Sequence, residues 1–127
     1  MRYAISTPDA PQAIGPYSQA IRIGPFLFVS GQIPIDPATG QLVTGDIAAQ
    51  TRRVLQSVGE ILKAAGSSLE QVGRTTVYMA DLAEFPAMNE VYSEFFRPPA
   101  PARSTIQAAR LPRDARLEID VIAVLDD

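Results

Sequence analysis

The run Leu117-Glu118-Ile119-Asp120-Val121-Ile122-Ala123-Val124-Leu125 constrains the fold more than any other stretch. Its apolar residues recur with a period of two, the signature of an extended strand whose side chains alternate between faces. Leu117, Ile119, Val121, Ala123 and Leu125 share one side. Glu118 and Asp120 lie opposite them, together with Ile122 and Val124. The first side asks for a wholly apolar cover. The second is acidic at one end and apolar at the other, which solvent exposure alone explains poorly. It suits a subunit interface with a polar pocket at its edge.

Two stretches have the spacing to supply the first cover. Val54, Leu55, Val58, Ile61, Leu62 and Ala65 fall on one helical face. Asp46 is the expected N-cap, with Thr44 as the other candidate, and Gly66 is placed to end the helix in the left-handed conformation. Further on, Asp81-Leu82-Ala83-Glu84 resembles a capping box, and Pro86 falls in the first turn of a second helix. Phe85, Met88, Tyr92, Phe95 and Phe96 then form an aromatic stripe that reads as core. Asn89 shares the face of Phe85 and Tyr92, where its amide needs a partner.

Strand-like runs make up most of the remainder: 3–6, 20–23, 26–30, 72–79 and 102–106, besides the closing one. Gly24-Pro25 predicts a hairpin turn, and Pro34 to Gly40 reads as a loop. The order β, β-β, α, β, α, β-β predicts an α+β fold, one sheet covered on one face by two helices. One domain over residues 1–127 is expected from the length, with 46% hydrophobic residues to build its core.

Composition excludes several functions. Cysteine and histidine are absent, which removes disulfides, thiol nucleophiles, Cys/His metal sites and any Ser-His-Asp triad. Proton transfer near neutral pH must rest on Asp, Glu, Tyr, Lys63 or water. No Asp/Glu cluster stands out at metal-ligand spacing, so no metal is expected. The formal charge of −3 and the scattered basic residues argue against nucleic acid as a partner. No apolar run reaches membrane-spanning length and the N-terminus has no secretory apolar segment, so a cytoplasmic location is expected.

Arg103 and Glu118 are the charges that burial would not choose. Alternation groups Arg103 with Thr105 and Gln107 on one side of its strand. A planar guanidinium matches a carboxylate, each charge-assisted bond contributing roughly 1.5–3 kcal/mol. A carboxylate nearby can move a proton, an effect of about 10²–10⁴ in rate. The competing possibility is that Arg103 simply pairs with Glu118 or Asp120 across strands. Tyr17, presented by the stiff Gly15-Pro16 loop, is either a pocket residue or a half-buried packing residue. Gly31, directly after a strand, marks either a close approach or a plain turn.

Gly15-Pro16-Tyr17-Ser18-Gln19-Ala20, Val29-Ser30-Gly31-Gln32-Ile33-Pro34, Met88-Asn89-Glu90-Val91-Tyr92 and Pro101-Ala102-Arg103-Ser104 together resemble the RidA/YjgF family. Ala109-Arg110-Leu111-Pro112 and Leu117-Glu118-Ile119-Asp120 extend the resemblance over nearly the whole chain. It implies a chorismate-mutase-like protomer in a homotrimer, with three sites in the clefts between subunits and no cofactor. It also implies hydrolysis of 2-aminoacrylate and related enamine or imine acids to 2-keto acids and ammonia. By position, Arg103 would bind the substrate carboxylate and Glu118 would activate water. Tyr17, Ser30, Gly31 and Asn89 would line the pocket, some from the neighbouring subunit. Thr105 stands where many members carry cysteine, so a thiol is not essential here, while Thr105 is still expected to contact ligand, through its backbone. A trimer that binds 2-keto acids without turnover is the alternative from another functional class. A ribonuclease reading also attached to the family fits the charge distribution poorly.

Overall fold

The computed structural model describes residues 1–125. Strands β1 (Tyr3–Ile5), β2 (Ala20–Ile23) and β3 (Phe26–Gln32) come first, and a small hairpin of β4 (Ile35–Asp36) and β5 (Gln41–Leu42) follows. Then come α1 (Ile47–Ala64), β6 (Val72–Met79), α2 (Phe85–Phe95), β7 (Ala102–Gln107) and β8 (Leu117–Val124). The main sheet has the order β1-β2-β3-β8-β6-β7. All neighbours are antiparallel except β6 and β7.

The expected α+β architecture is therefore present, one mixed sheet with two helices. Two local expectations change. Pro34 to Gly40 is not only loop, because Ile35 pairs with Leu42 and Asp36 with Gln41. The two closing strands are consecutive in sequence but not neighbours, since β6 lies between them. The cause is the α2 crossover: a strand reached through a helix returns parallel to its predecessor, so β7 takes the outer edge of β6. The other edge of β6 is left for β8.

Helix α1 begins where Asp46 accepts a hydrogen bond from the Ala49 amide at 3.0 Å. It ends at Gly66, whose φ of 83° lets the Ser67 amide reach back to the Leu62 carbonyl at 2.8 Å. Its predicted face is the buried one: Val54, Leu55, Val58, Ile61 and Leu62 are all fully inaccessible. They join Leu27, Val77, Met79, Leu117, Ile119 and Val121 in one core. The opposite face of the sheet has no such cover among the described residues. Phe26, Phe28, Ile106 and Val124 remain 41–48% exposed there.

Gln19 is a fold determinant that its residue type did not advertise. It is buried, accepts from the Thr7 amide at 2.7 Å, and donates to the carbonyls of Thr7 at 3.0 Å and Pro11 at 2.8 Å. One amide thus satisfies the backbone of an N-terminal segment that has no ladder of its own. Replacing it with leucine strands those groups. Gln19→Leu is expected to lower the free energy of unfolding by about 1–3 kcal/mol, read from urea denaturation.

Candidate functional site

Arg103 stands in register with Thr75, whose hydroxyl lies 2.8 Å from that of Tyr92. That places Arg103 on the helix-covered side of the sheet, at its edge. Its guanidinium carbon lies 4.6 Å from the centre of the Tyr92 ring and 5.3 Å from that of Phe85. Nη1 donates to the Asn89 side-chain oxygen at 2.7 Å. Among the described residues no carboxylate pairs with Arg103; the ion pairs are Arg52–Glu94, Arg110–Asp114 and Arg116–Glu84. A guanidinium has five N–H donors. This one rests on aromatic faces, is steered by a neutral amide, and borders a groove with Pro86, Asn89, Ser93, Phe96, Pro101 and Glu90, whose carboxylate forms no ion pair among the described residues.

Asn89 therefore has the partner its position called for. The aromatic stripe needs amending: Met88 and Phe96 are core, whereas Phe85 and Tyr92 also carry the cation. The signal that separated them in the sequence was a polar amide set between two rings on one face.

Glu118 is elsewhere. It is in register with Tyr78, three residues beyond Thr75 on β6, so it projects from the opposite side of the sheet. Within one chain the two charges neither pair nor converge. The cross-strand ion pair is not formed, and neither is a single-chain crevice holding both groups. Burial first, and then the negative charge of Asp120, push the Glu118 carboxyl above its usual range.

Around Glu118 the chain makes room. The pairing of β3 with β8 shifts between Val29 and Gln32, and Gly31 sits in that irregularity. A Cβ at Gly31 would lie 2.8 Å from the carboxyl carbon of Glu118, with its oxygen closer still. Gly31 is thus a close-approach glycine, not a plain turn residue. Next to it, the Ser30 hydroxyl donates to the Ser18 carbonyl at 2.6 Å, and the Ser30 amide to the Gln19 carbonyl at 3.0 Å. These bonds fasten the loop that carries Tyr17. Tyr17 itself is 53% exposed, which excludes the half-buried packing role within the chain.

Thr105 lies two residues beyond Arg103 on the same side of β7. Its hydroxyl oxygen is buried and has no hydrogen-bond partner among the described residues. Such an oxygen is costly where a less polar group would not be.

The family described as Endoribonuclease L-PSP matches residues 7–125. The chain belongs to this RidA/RutC family. It is 46% identical over 124 residues to a human protein named 2-iminobutanoate/2-iminopropanoate deaminase, covering 98% of this chain and 90% of that one. A RutC family protein of Pyrococcus horikoshii is 54% identical over 123 residues, covering 97% and 98%. Among solved structures, E. coli TdcF with bound serine has a TM-score of 0.92 and 45% identity over 98% of this chain and 99% of that one. Imine deamination is thus an activity of named RidA-family relatives. No helix among the described residues is long and apolar enough to cross a membrane.

This geometry has two measurable consequences. Thr105→Val is expected to raise stability by about 1 kcal/mol, measured by denaturant unfolding, because it keeps the shape and removes the unpartnered oxygen. Glu118→Gln is expected to be more stable than the parent at neutral pH. A carboxyl held above its ordinary value of 4.5 favours the folded state when protonated, and that contribution is lost as pH rises through the raised value. The advantage of the glutamine variant in thermal unfolding should therefore shrink on acidification and disappear below the ordinary value.

Proposed function

We propose that this chain is a hydrolytic deaminase of small enamine and imine acids of the 2-aminoacrylate and 2-aminocrotonate class. Arg103 takes the substrate carboxylate. The observation that carries this role is a guanidinium with no acidic partner, braced by Asn89 over Tyr92 and Phe85 and left with donors to spare. An enamine acid first tautomerises to its imine, the β-carbon gaining a proton as the nitrogen loses one. Water then adds to the carbon of the C=N bond, and the tetrahedral adduct gives up its hydroxyl proton as ammonia leaves, so that a 2-keto acid remains. Glu118 takes a proton from the attacking water and passes one to the departing nitrogen. An imine carbon is already electrophilic, so a positioned cation and one proton shuttle suffice without histidine, cysteine or a cofactor. Tyr17, Ser30, Gly31, Asn89 and the Thr105 backbone line this pocket.

Arg103 and Glu118 occupy opposite faces of one sheet, so the reaction requires a second copy to bring its carboxylate to the first copy's guanidinium. The uncovered Phe26, Phe28, Ile106 and Val124 supply apolar surface for that association. A cytoplasmic homotrimer of one-domain, chorismate-mutase-like protomers, with a site in each cleft, meets the requirement. Support for the substrate class comes from the deaminase names of the human and mouse relatives.

A trimer that binds 2-keto acids without turning over imines would use the same Arg103, and a serine-bound relative fits either role. Heat of 2-ketobutyrate binding without ammonia release would identify it. The family description names an endoribonuclease, but a net charge of −3 with scattered basic residues gives RNA no phosphate-binding stripe.

The deciding assay couples the protein to a serine or threonine dehydratase and follows keto-acid appearance. Wild type should accelerate it. Arg103→Ala should abolish the acceleration while the oligomer persists, and Glu118→Gln should reduce it about 10²–10⁴-fold. Mixing the two inactive variants under conditions of subunit exchange should restore part of the rate, because some clefts then receive one intact Arg103 and one intact Glu118. Full activity in Arg103→Ala removes the mechanism, and a mixture that stays dead removes the shared site.

A further inference from the structure

Glu118 does not stand alone on the bare face of the sheet. Asp120 lies two residues further along β8 on the same side, in register with Thr76 as Glu118 is with Tyr78. Carboxylates at this spacing on a strand have Cα atoms roughly 6.5–7 Å apart, within reach of each other's charge on a half-buried surface. Neither forms an ion pair among the described residues.

The groups that face the pair are few. From β6 come Tyr78, Thr76 and Arg74, and the Arg74 guanidinium donates to the Ser104 hydroxyl at 2.8 Å without pairing to either carboxylate. From β7 come Ser104 and Ile106, and from β3 comes the backbone at Gly31, none of them charged. The Tyr78 phenol is pushed up by burial first, then by its bond to Asp120 and the charge of both carboxylates. A phenol that keeps its proton is a donor to Asp120, not a third anion. Arg74 is thus the cation on this face among the described residues, and it is engaged by Ser104. In the proposed assembly the neighbouring copy's Arg103 also faces Glu118. With both cations present, removing the Asp120 charge still lowers the hold of Glu118 on its proton.

We propose that Asp120 is a positioning residue that acts through Glu118, standing beside it two residues along the same face of β8. Any catalytic consequence rests on the reading of Glu118 as the proton-handling group. Burial and the Asp120 charge both act on Glu118 in the required direction. A general base gains from a proton affinity brought nearer the working pH, and a neighbouring like charge is a direct way to raise it.

The test is a carboxyl titration of Glu118 by ¹³C NMR in the full-length protein, alongside the pH profile of ammonia release. In Asp120→Asn the Glu118 midpoint should move to lower pH. The kinetic profile should cross that of wild type: faster at the acidic end, where more Glu118 is ionised, and slower on the plateau, where the base is weaker. Asp120→Glu should keep the wild-type midpoint and profile. Asp120→Thr, neutral and at home in a strand, serves as a second neutral variant should the asparagine form fail to fold. An unchanged Glu118 midpoint in the neutral variants overturns the proposal. A midpoint that falls while the ammonia-release profile stays in place upholds the coupling and instead removes Glu118 from the chemistry.

Discussion

Strand β8 is hydrogen-bonded along both edges, to β3 and to β6, and its register is the constraint on which the rest depends. Leu117, Ile119, Val121 and Ala123 are at most 1% exposed beneath the helices. A slip of one residue would exchange the two faces, driving Glu118 and Asp120 into that core and four apolar side chains out of it. Each buried carboxylate would cost several kcal/mol, and only Ile122 and Val124 would turn inward to replace four apolar side chains. The hydrophobic core thus holds the register, and the register holds Glu118 opposite Tyr78 and against Gly31. Packing on one face of the strand positions a pair of carboxylates on the other.

That coupling explains which parts of the molecule were legible in the chain. Period-two alternation in β8, the apolar faces of both helices, the Gly24-Pro25 hairpin and the Asp46 cap are local patterns, and local physics suffices to read them. The Asn89 amide was legible for the same reason, as a polar group on an apolar face. The relation between Arg103 and Glu118 was not. Alternation assigns each residue a side of its own strand, but whether two strands present those sides together depends on pairing and register. Here β6 stands between them, and Thr75 and Tyr78, their partners on it, differ by an odd number of residues. The roles of Phe85 and Tyr92 were hidden differently. An aromatic stripe has the same spacing whether its rings pack on leucine or under a guanidinium. Gln19 gave no signal, because the carbonyls it satisfies belong to an irregular segment with no pattern of its own.

The bracing of Arg103 has a consequence for binding. A carboxylate from the protein would occupy the planar fork that an anionic ligand needs, and a ligand would have to displace it. Aromatic faces act through the ring quadrupole and leave the edge of the guanidinium free. Asn89 uses one donor and fixes the rotation. The side chain is thereby ordered in advance, which in the proposed mechanism lowers the entropic cost of capturing a small acid with few contacts to offer.

Such a site has to keep a cation and a base from neutralising each other. Were Arg103 and Glu118 neighbours in one chain, they would close into an ion pair, taking the guanidinium from the substrate and depressing the basicity of the carboxylate. Opposite faces of a sheet prevent that collapse within one chain. Glu118 is instead placed beside Asp120, a neighbour that raises its hold on a proton. In the proposed mechanism, the two groups meet only where copies of the chain associate, and the substrate enters between them. Its carboxylate faces the cation and its imine carbon faces the base. In that mechanism a chain lacking both histidine and cysteine raises the proton affinity of its base by arranging carboxylates, because a sheet face uncovered within one chain lets two of them stand together at a spacing that a folded core would not tolerate.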